Sequence, residues 1–146
     1  MIRNARLRAA NAEDLEAVSQ LLTRCGLSLP ESAEAPPFIH VAFVENSIVG
    51  CACGEQRSRT FVVHTVAVLP DYRGHRLATH LVSVLLTRAR ANGCTKATVL
   101  TDVNPTFFAR YGFSLTPTDD VIREMQLSID FLRRFGARSH YMCRHL

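Results

Sequence analysis

Apolar residues along this chain switch repeatedly between a spacing near three and a half and a spacing of two, which predicts helices alternating with strands. A short strand over residues 6–10 leads to a helix opened by Asn11 or Glu13-Asp14. There Leu15, Val18, Leu21 and Leu22 recur at helical spacing, and Gly26 ends the run. Residues 28–37, holding Pro30, Pro36 and Pro37, predict a loop or a broken helical turn. Strands over 39–44 and 48–53 flank the turn-like Glu45-Asn46-Ser47, and a third β-branched run over 61–69 stops at Pro70. The strongest helical pattern spans 74–92: Leu77, Leu81, Leu85 and Ala89 form one stripe, Val82 and Leu86 widen it, and Gly93 is placed to stop it. A strand over 97–100, a short helix over 105–111, a strand after Gly112-Phe113, a helix near 120–131 and a last strand near 140–143 complete the pattern. The order is that of a mixed α/β domain with one parallel crossover through the long helix. A single domain over 1–146 is expected.

Composition narrows the function classes. The chain has 146 residues, 47% of them hydrophobic, enough for one core of useful size. It holds no eighteen-residue apolar run, and charge interrupts the start MIRNARLRAANAEDLE too early for a secretory signal, so a cytoplasmic protein without a membrane span is expected. The net charge is +4, but the arginines are dispersed and do not interleave with aromatics, which argues against a nucleic-acid track. Five cysteines without a CxxC pair read as reduced thiols and not as metal ligands. Cys51 and Cys53, two apart in an apolar run, should share one face of a strand.

One stretch concentrates chemistry. In VAVLPDYRGHRLATHL, residues 66–81, a strand hands over through a basic loop to the start of the long helix. A helix start exposes unpaired N–H groups and the positive end of the macrodipole. Arg73 and Arg76 add forked donors suited to phosphate, and Gly74 permits close backbone approach. On the residues alone this is either a phosphate site or a pair of solvated arginines beside an ordinary helix.

The same stretch resembles the acetyl-CoA motif of the GNAT superfamily of N-acetyltransferases: V-x-V, proline, an aromatic, then R-x-x-G-x-G/A leading into a helix. VLTDVNPTFFARYGF, residues 99–113, resembles the family's following strand and its F-F/Y-x-x-x-G-F helix. With the element order, the resemblance runs from Arg6 to Cys143, and within the family it lies nearest amino-acid and arsenic-resistance-associated bacterial acetyltransferases. It implies a GNAT-like fold with a mostly antiparallel central sheet, acetyl-CoA as cosubstrate, no metal, and a homodimer. It also implies that backbone of Val66, Ala67 and Val68 meets the pantetheine arm, that amides of Arg73, Gly74, His75, Arg76, Leu77, Ala78 and Thr79 cradle the pyrophosphate, and that Phe107 and Phe108 line the cofactor. Arg76 departs from the family by standing where its second glycine usually is. Phe108 departs too, where many members carry a tyrosine that protonates the leaving thiolate.

Acetyl transfer to an amine needs a proton acceptor. His64 is the first candidate, since its ordinary pKa suits the task and alternation would put it on the face of Val66 and Val68; the same period suits a histidine that only packs in the sheet. A main-chain N–H near Ala67 or Val68 could polarise the thioester carbonyl. Tyr111 is the remaining hydroxyl near Phe108, either as an acid or as a core aromatic at the rim. Asp102 could meet an acceptor ammonium, Asp71 caps or decorates a turn, and Arg57 and Arg59 could clamp a carboxylate or keep a hairpin soluble. His40, His80, His140 and His145 are expected to be structural or solvent-facing. The function expected is transfer of an acetyl group to a small primary amine. The alternatives are a peptide or protein N-acetyltransferase and a non-catalytic acyl-CoA sensor.

Overall fold

The computed structural model describes residues 5–27, 38–101, 105–115 and 140–146. Within them β1 (Ala5–Ala9), β2 (Phe38–Val44), β3 (Ser47–Arg57), β4 (Thr60–Val68), β5 (Lys96–Thr101), β6 (Ser114–Leu115) and β7 (His140–His145) form one sheet in the order β1-β2-β3-β4-β5-β7-β6. The helices are α1 (Leu15–Arg24), α2 (Leu77–Ala91) and α3 (Pro105–Ala109). The loop expected over 28–37, the helix expected near 120–131 and Asp102 lie outside the described residues.

Local chemistry sets the element limits. Asn11 and Asp14 form a capping box before α1, and Asp14 is gripped by both Nη atoms of Arg8 from β1. That grip is the first reason the Asp14 carboxyl sits below its usual pKa. β3 runs to Arg57, past the expected end at Cys53, because Gly54, Glu55 and Gln56 stay in register with Val63, Val62 and Phe61. α2 begins only at Leu77, since Gly74 (φ 83°) and Arg76 (φ 64°) occupy the left-handed region and cannot continue a helix. α3 ends at Ala109, short of 111, where the Tyr111 and Gly112 N–H groups turn back to the Phe108 and Ala109 carbonyls.

The sheet is buried on both faces. On one side Leu77, Leu81, Val82, Leu85, Leu86 and Ala89 of α2 pack on Ala52, Phe61, Val63 and Val68, with Phe108, Phe113 and Met142 closing the cluster. On the other, Val18, Leu21 and Leu22 of α1 pack on Val41, Cys51, Cys53 and Ala67. Each buried leucine contributes about 1.5–3 kcal/mol. Cys51 and Cys53 do share a face and are fully buried. Their mutual hydrogen bond and their burial push the Cys51 thiol well above its usual pKa, holding it protonated.

Two irregularities in β4 shape everything that follows. β1 to β4 form an antiparallel meander, and β4 meets β5 in parallel across the α2 crossover, but only from Thr60↔Lys96 to Val63↔Val99. Beyond that point β4 continues against β3 to Val68 while β5 continues against β7 to Thr101, so the two strands part. At the same place the β3–β4 register slips: Gly54 faces Val63 and Cys53 faces Thr65, leaving His64 as an inserted residue. Val63 and Val66 consequently point to the same α2 face although they are three apart. The expected alternation of His64 with Val66 and Val68 therefore fails, and the His64 ring reaches Glu55 instead.

Candidate active site

Among the described residues, the parting of β4 from β5 leaves a backbone edge of β4 without a strand partner inside the sheet. Leu69 N–H donates to the Val49 carbonyl of β3 at 2.8 Å, so Leu69 and Ala67 direct their backbone groups toward β3. Val68 and Val66 direct theirs the other way, to the side where β5 has left. Of the N–H groups considered for polarising a carbonyl, that of Val68 faces the opening and that of Ala67 is turned to the ladder.

The basic loop closes one end of this edge. A 3-10 turn over Pro70–Tyr72 accepts the Arg73 N–H at the Pro70 carbonyl, 3.3 Å away, and the Arg73 Nε donates to the Val68 carbonyl at 2.8 Å. The Arg73 amide is thus committed to the turn, and its side chain ties the loop to the end of β4. Gly74, His75 and Arg76 follow, and α2 begins without a side-chain cap, which leaves the first-turn amides of Leu77, Ala78 and Thr79 without helical partners. An added Cβ at Gly74 would meet nothing within 4 Å, so the left-handed backbone, and not crowding, explains the glycine. An internal strand edge ending at an uncapped helix start fits a cofactor with a thin hydrogen-bonding arm and a pyrophosphate.

α3 stands beside the core. Phe108 is buried, edge-on to Phe107 at 5.0 Å and to Phe113 at 5.7 Å. Tyr111 is half-buried, its ring 5.1 Å from Phe107, and its carbonyl accepts from Arg144 Nη1 at 2.7 Å.

The titratable centre lies at the bulge. His64 Nε2 is 3.3 Å from Glu55 Oε1, and Arg57 Nε is 2.7 Å from the same oxygen. Burial is the main influence on His64 and lowers its pKa; Glu55 acts in the opposite direction and Arg57 adds slightly to the lowering. The net effect keeps the ring neutral near pH 7, as a proton acceptor requires. Arg57 is thereby held by Glu55, while Arg59 and Asp71 are exposed. Sequence reasoning missed Glu55, although it continues the alternation of Cys51 and Cys53 on one face and is a charged residue there. It also missed the partner of His40, which is buried on β2 with Nδ1 3.3 Å from Arg88 Nη1 of α2. His75 is half-buried, His80 and His145 exposed. A separate cleft of about 420 Å³, lined among others by Arg8, Asp14, Arg24, Phe43 and Leu69, contains none of the candidate site residues.

Among the described residues no group of three His, Cys, Asp or Glu side chains could hold a metal, and no helix is long and apolar enough to cross a membrane. Sheet, internal edge and basic loop together have the form of an acyltransferase domain. The model of the Acetyltransferase (GNAT) family matches residues 4–113, and the chain belongs to that family. No curated protein sequence matches the chain. Among solved structures, N-acetylglutamate synthase from Neisseria gonorrhoeae, complexed with coenzyme A and N-acetyl-glutamate, superposes over 100% of this chain with TM-score 0.80 and 19% identity. This chain spans only 36% of that enzyme's length. Rv2747 from Mycobacterium tuberculosis, in complex with CoA and a second ligand, superposes over 97% of this chain and 99% of its own, with TM-score 0.78 and 25% identity. Naa50 from Arabidopsis thaliana, in complex with the bisubstrate analogue CoA-Ac-MVNAL, covers 98% of this chain and 99% of its own, with TM-score 0.72 and 18% identity.

Proposed function

We propose that this protein transfers the acetyl group of acetyl-CoA to the primary amine of a small molecule, an amino acid or a close analogue. The observation that carries the reading is the open backbone edge at Val66 and Val68 with a half-buried, neutral histidine at the bulge beside it. Acetyl-CoA brings an activated thioester to that edge. Val66 offers the arm its backbone N–H and carbonyl, and the amides from Gly74 to Thr79 with the Arg73 and Arg76 guanidinium groups hold the pyrophosphate. Phe107 and Phe108 supply an apolar wall. Val68 N–H polarises the thioester carbonyl, and His64 takes the proton that an ammonium must lose before it attacks. With a model thiol pKa near 8.5, the departing sulfur can take its proton from solvent, so Phe108 in place of a hydroxyl is no obstacle. Tyr111, whose ring packs on Phe107, serves the wall first.

The amino-acid class is supported by the neighbour complexed with N-acetyl-glutamate, and a peptide amino terminus by the neighbour holding a peptide bisubstrate analogue. Thiol release measured over a panel of amino acids, small amines and short peptides separates them. Turnover restricted to peptides would replace the small-molecule reading, and coenzyme A binding without turnover on any amine would make the chain a sensor. Arg73→Glu places like charge beside phosphate and releases the loop from Val68, so acetyl-CoA affinity should fall more than about tenfold, at least about 1.4 kcal/mol. Unchanged affinity by calorimetry would move the pyrophosphate elsewhere.

A further inference from the structure

We propose that Glu55 is a positioning residue for acetyl transfer: its buried carboxylate holds the His64 ring at the β4 bulge with Nε2 engaged, so that Nδ1 is the nitrogen presented to the acceptor amine. The inference rests on the reading of His64 as the proton acceptor.

An inserted residue in a bulge has no partner across the ladder, so cross-strand packing does not fix its side chain. Glu55 supplies that fixing from β3. It faces Val62, two residues before His64, and its Oε1 lies 3.3 Å from the ring nitrogen. Glu55 is only 3% exposed. Burying a carboxylate is costly, and a buried ion pair returns little stability over a well-packed apolar pair, so the strand gains nothing obvious from placing one here. The arrangement does have a use for orientation. Arg57 Nε, 2.7 Å from the same oxygen, anchors the Glu55 carboxylate; that oxygen faces Nε2 of the neutral ring, so Nε2 carries the proton and the Nδ1 lone pair is left free. Among the described residues the charged groups acting on His64 are Glu55 and Arg57, both from β3. β5, the other strand beside β4, brings Lys96 opposite Thr60 at the start of the register.

The test uses the full chain and two readouts. Ring-resonance titration of His64 by NMR needs no substrate: because Glu55 raises the proton affinity of the ring, Glu55→Gln should titrate at lower pH than the wild type, and Glu55→Asp should retain most of the wild-type value. Melting curves confirm that each variant is folded, and Glu55→Leu, which also removes the carboxylate, answers the question if the glutamine variant is not. In turnover with the best amine, Glu55→Gln should lower kcat about 10- to 100-fold, leave the KM for acetyl-CoA within about twofold, and move the acid limb of the pH–rate profile to lower pH. Added to His64→Ala, it should cost nothing further. A His64 titration that does not move on loss of the carboxylate, or losses that multiply in the double variant, would overturn the inference while leaving acetyl transfer intact. Absence of thiol release with every amine would overturn the reading of the site, and with it this role for Glu55, whatever the titration shows.

Discussion

Arg76 holds a backbone conformation made for another residue. At φ 64° and ψ 19° it caps α2 in the left-handed region, which costs an L-residue about 1–2 kcal/mol. Glycine would relieve that strain and give back part of it through the freedom of the unfolded chain. Arg76→Gly is therefore expected to raise stability by about 0.5–1 kcal/mol and the melting temperature by about 2–4 °C. Thermal melts with and without acetyl-CoA check this: stabilisation of the free protein alone, with a smaller ligand-induced shift, assigns the guanidinium to phosphate. A lower melting temperature would mean that the arginine is held by contacts worth more than its strain. The departure from the family motif was legible in the letters, since an arginine stands where a glycine is usual. Glu55 was not, because its role depends on which residue of β4 it faces, and one inserted residue decides that.

At the scale of elements, Gly54 makes the bulge possible. A Cβ there would lie 2.4 Å from Cε2 of Phe61 and 2.6 Å from the Val62 carbonyl oxygen. Relaxing that clash means moving a fully buried ring and the backbone beside His64. Gly54→Ala is expected to cost about 1–3 kcal/mol, read by chemical denaturation, and to lower kcat more than acetyl-CoA affinity. A neutral substitution would show that β3 can shift without disturbing the pair. The helices were plain in the sequence because a stripe of leucines over 15 residues has one interpretation; all six residues expected on the inner face of α2 are buried. The strand FVVHTVAV was plain as a strand but not as a bulged one. Apolar residues at nearly every position erase the alternation from which a slip could be seen.

At the scale of the whole molecule, two histidines, His40 buried and His64 half-buried, tie stability to pH. Burial is the leading cause that lowers the pKa of both His40 and His64, helped at His40 by Arg88. Both therefore stay neutral in the fold to lower pH than in the unfolded chain, where they titrate near 6.5. Below that value the unfolded state binds more protons, so this stability is fully present above about pH 6.5 and is lost as pH falls through the folded-state values. A melting temperature that declines between pH 7.5 and 5 is the expected outcome; a flat profile would place both rings in contact with solvent. The Asp14 contribution follows the same sign in a lower window, present above the usual carboxylate pKa and lost in stronger acid.

Sheets normally expose unpaired backbone only at their outer strands, where another protein chain can dock and start aggregation. Here the edge formed by the Val66 backbone and the Val68 N–H, with the Val68 carbonyl already taken by Arg73, lies between two neighbouring strands of the same sheet, covered by α2 on one face and by α1 packing on Ala67 on the other. A polypeptide strand laid along that edge would project side chains above and below its own plane, toward both layers. An unbranched chain has nothing to collide. The molecule can thus keep the Val66 N–H and carbonyl and the Val68 N–H without a strand partner among the described residues and still be protected from joining its own kind, because the two covering layers limit what can lie along that edge.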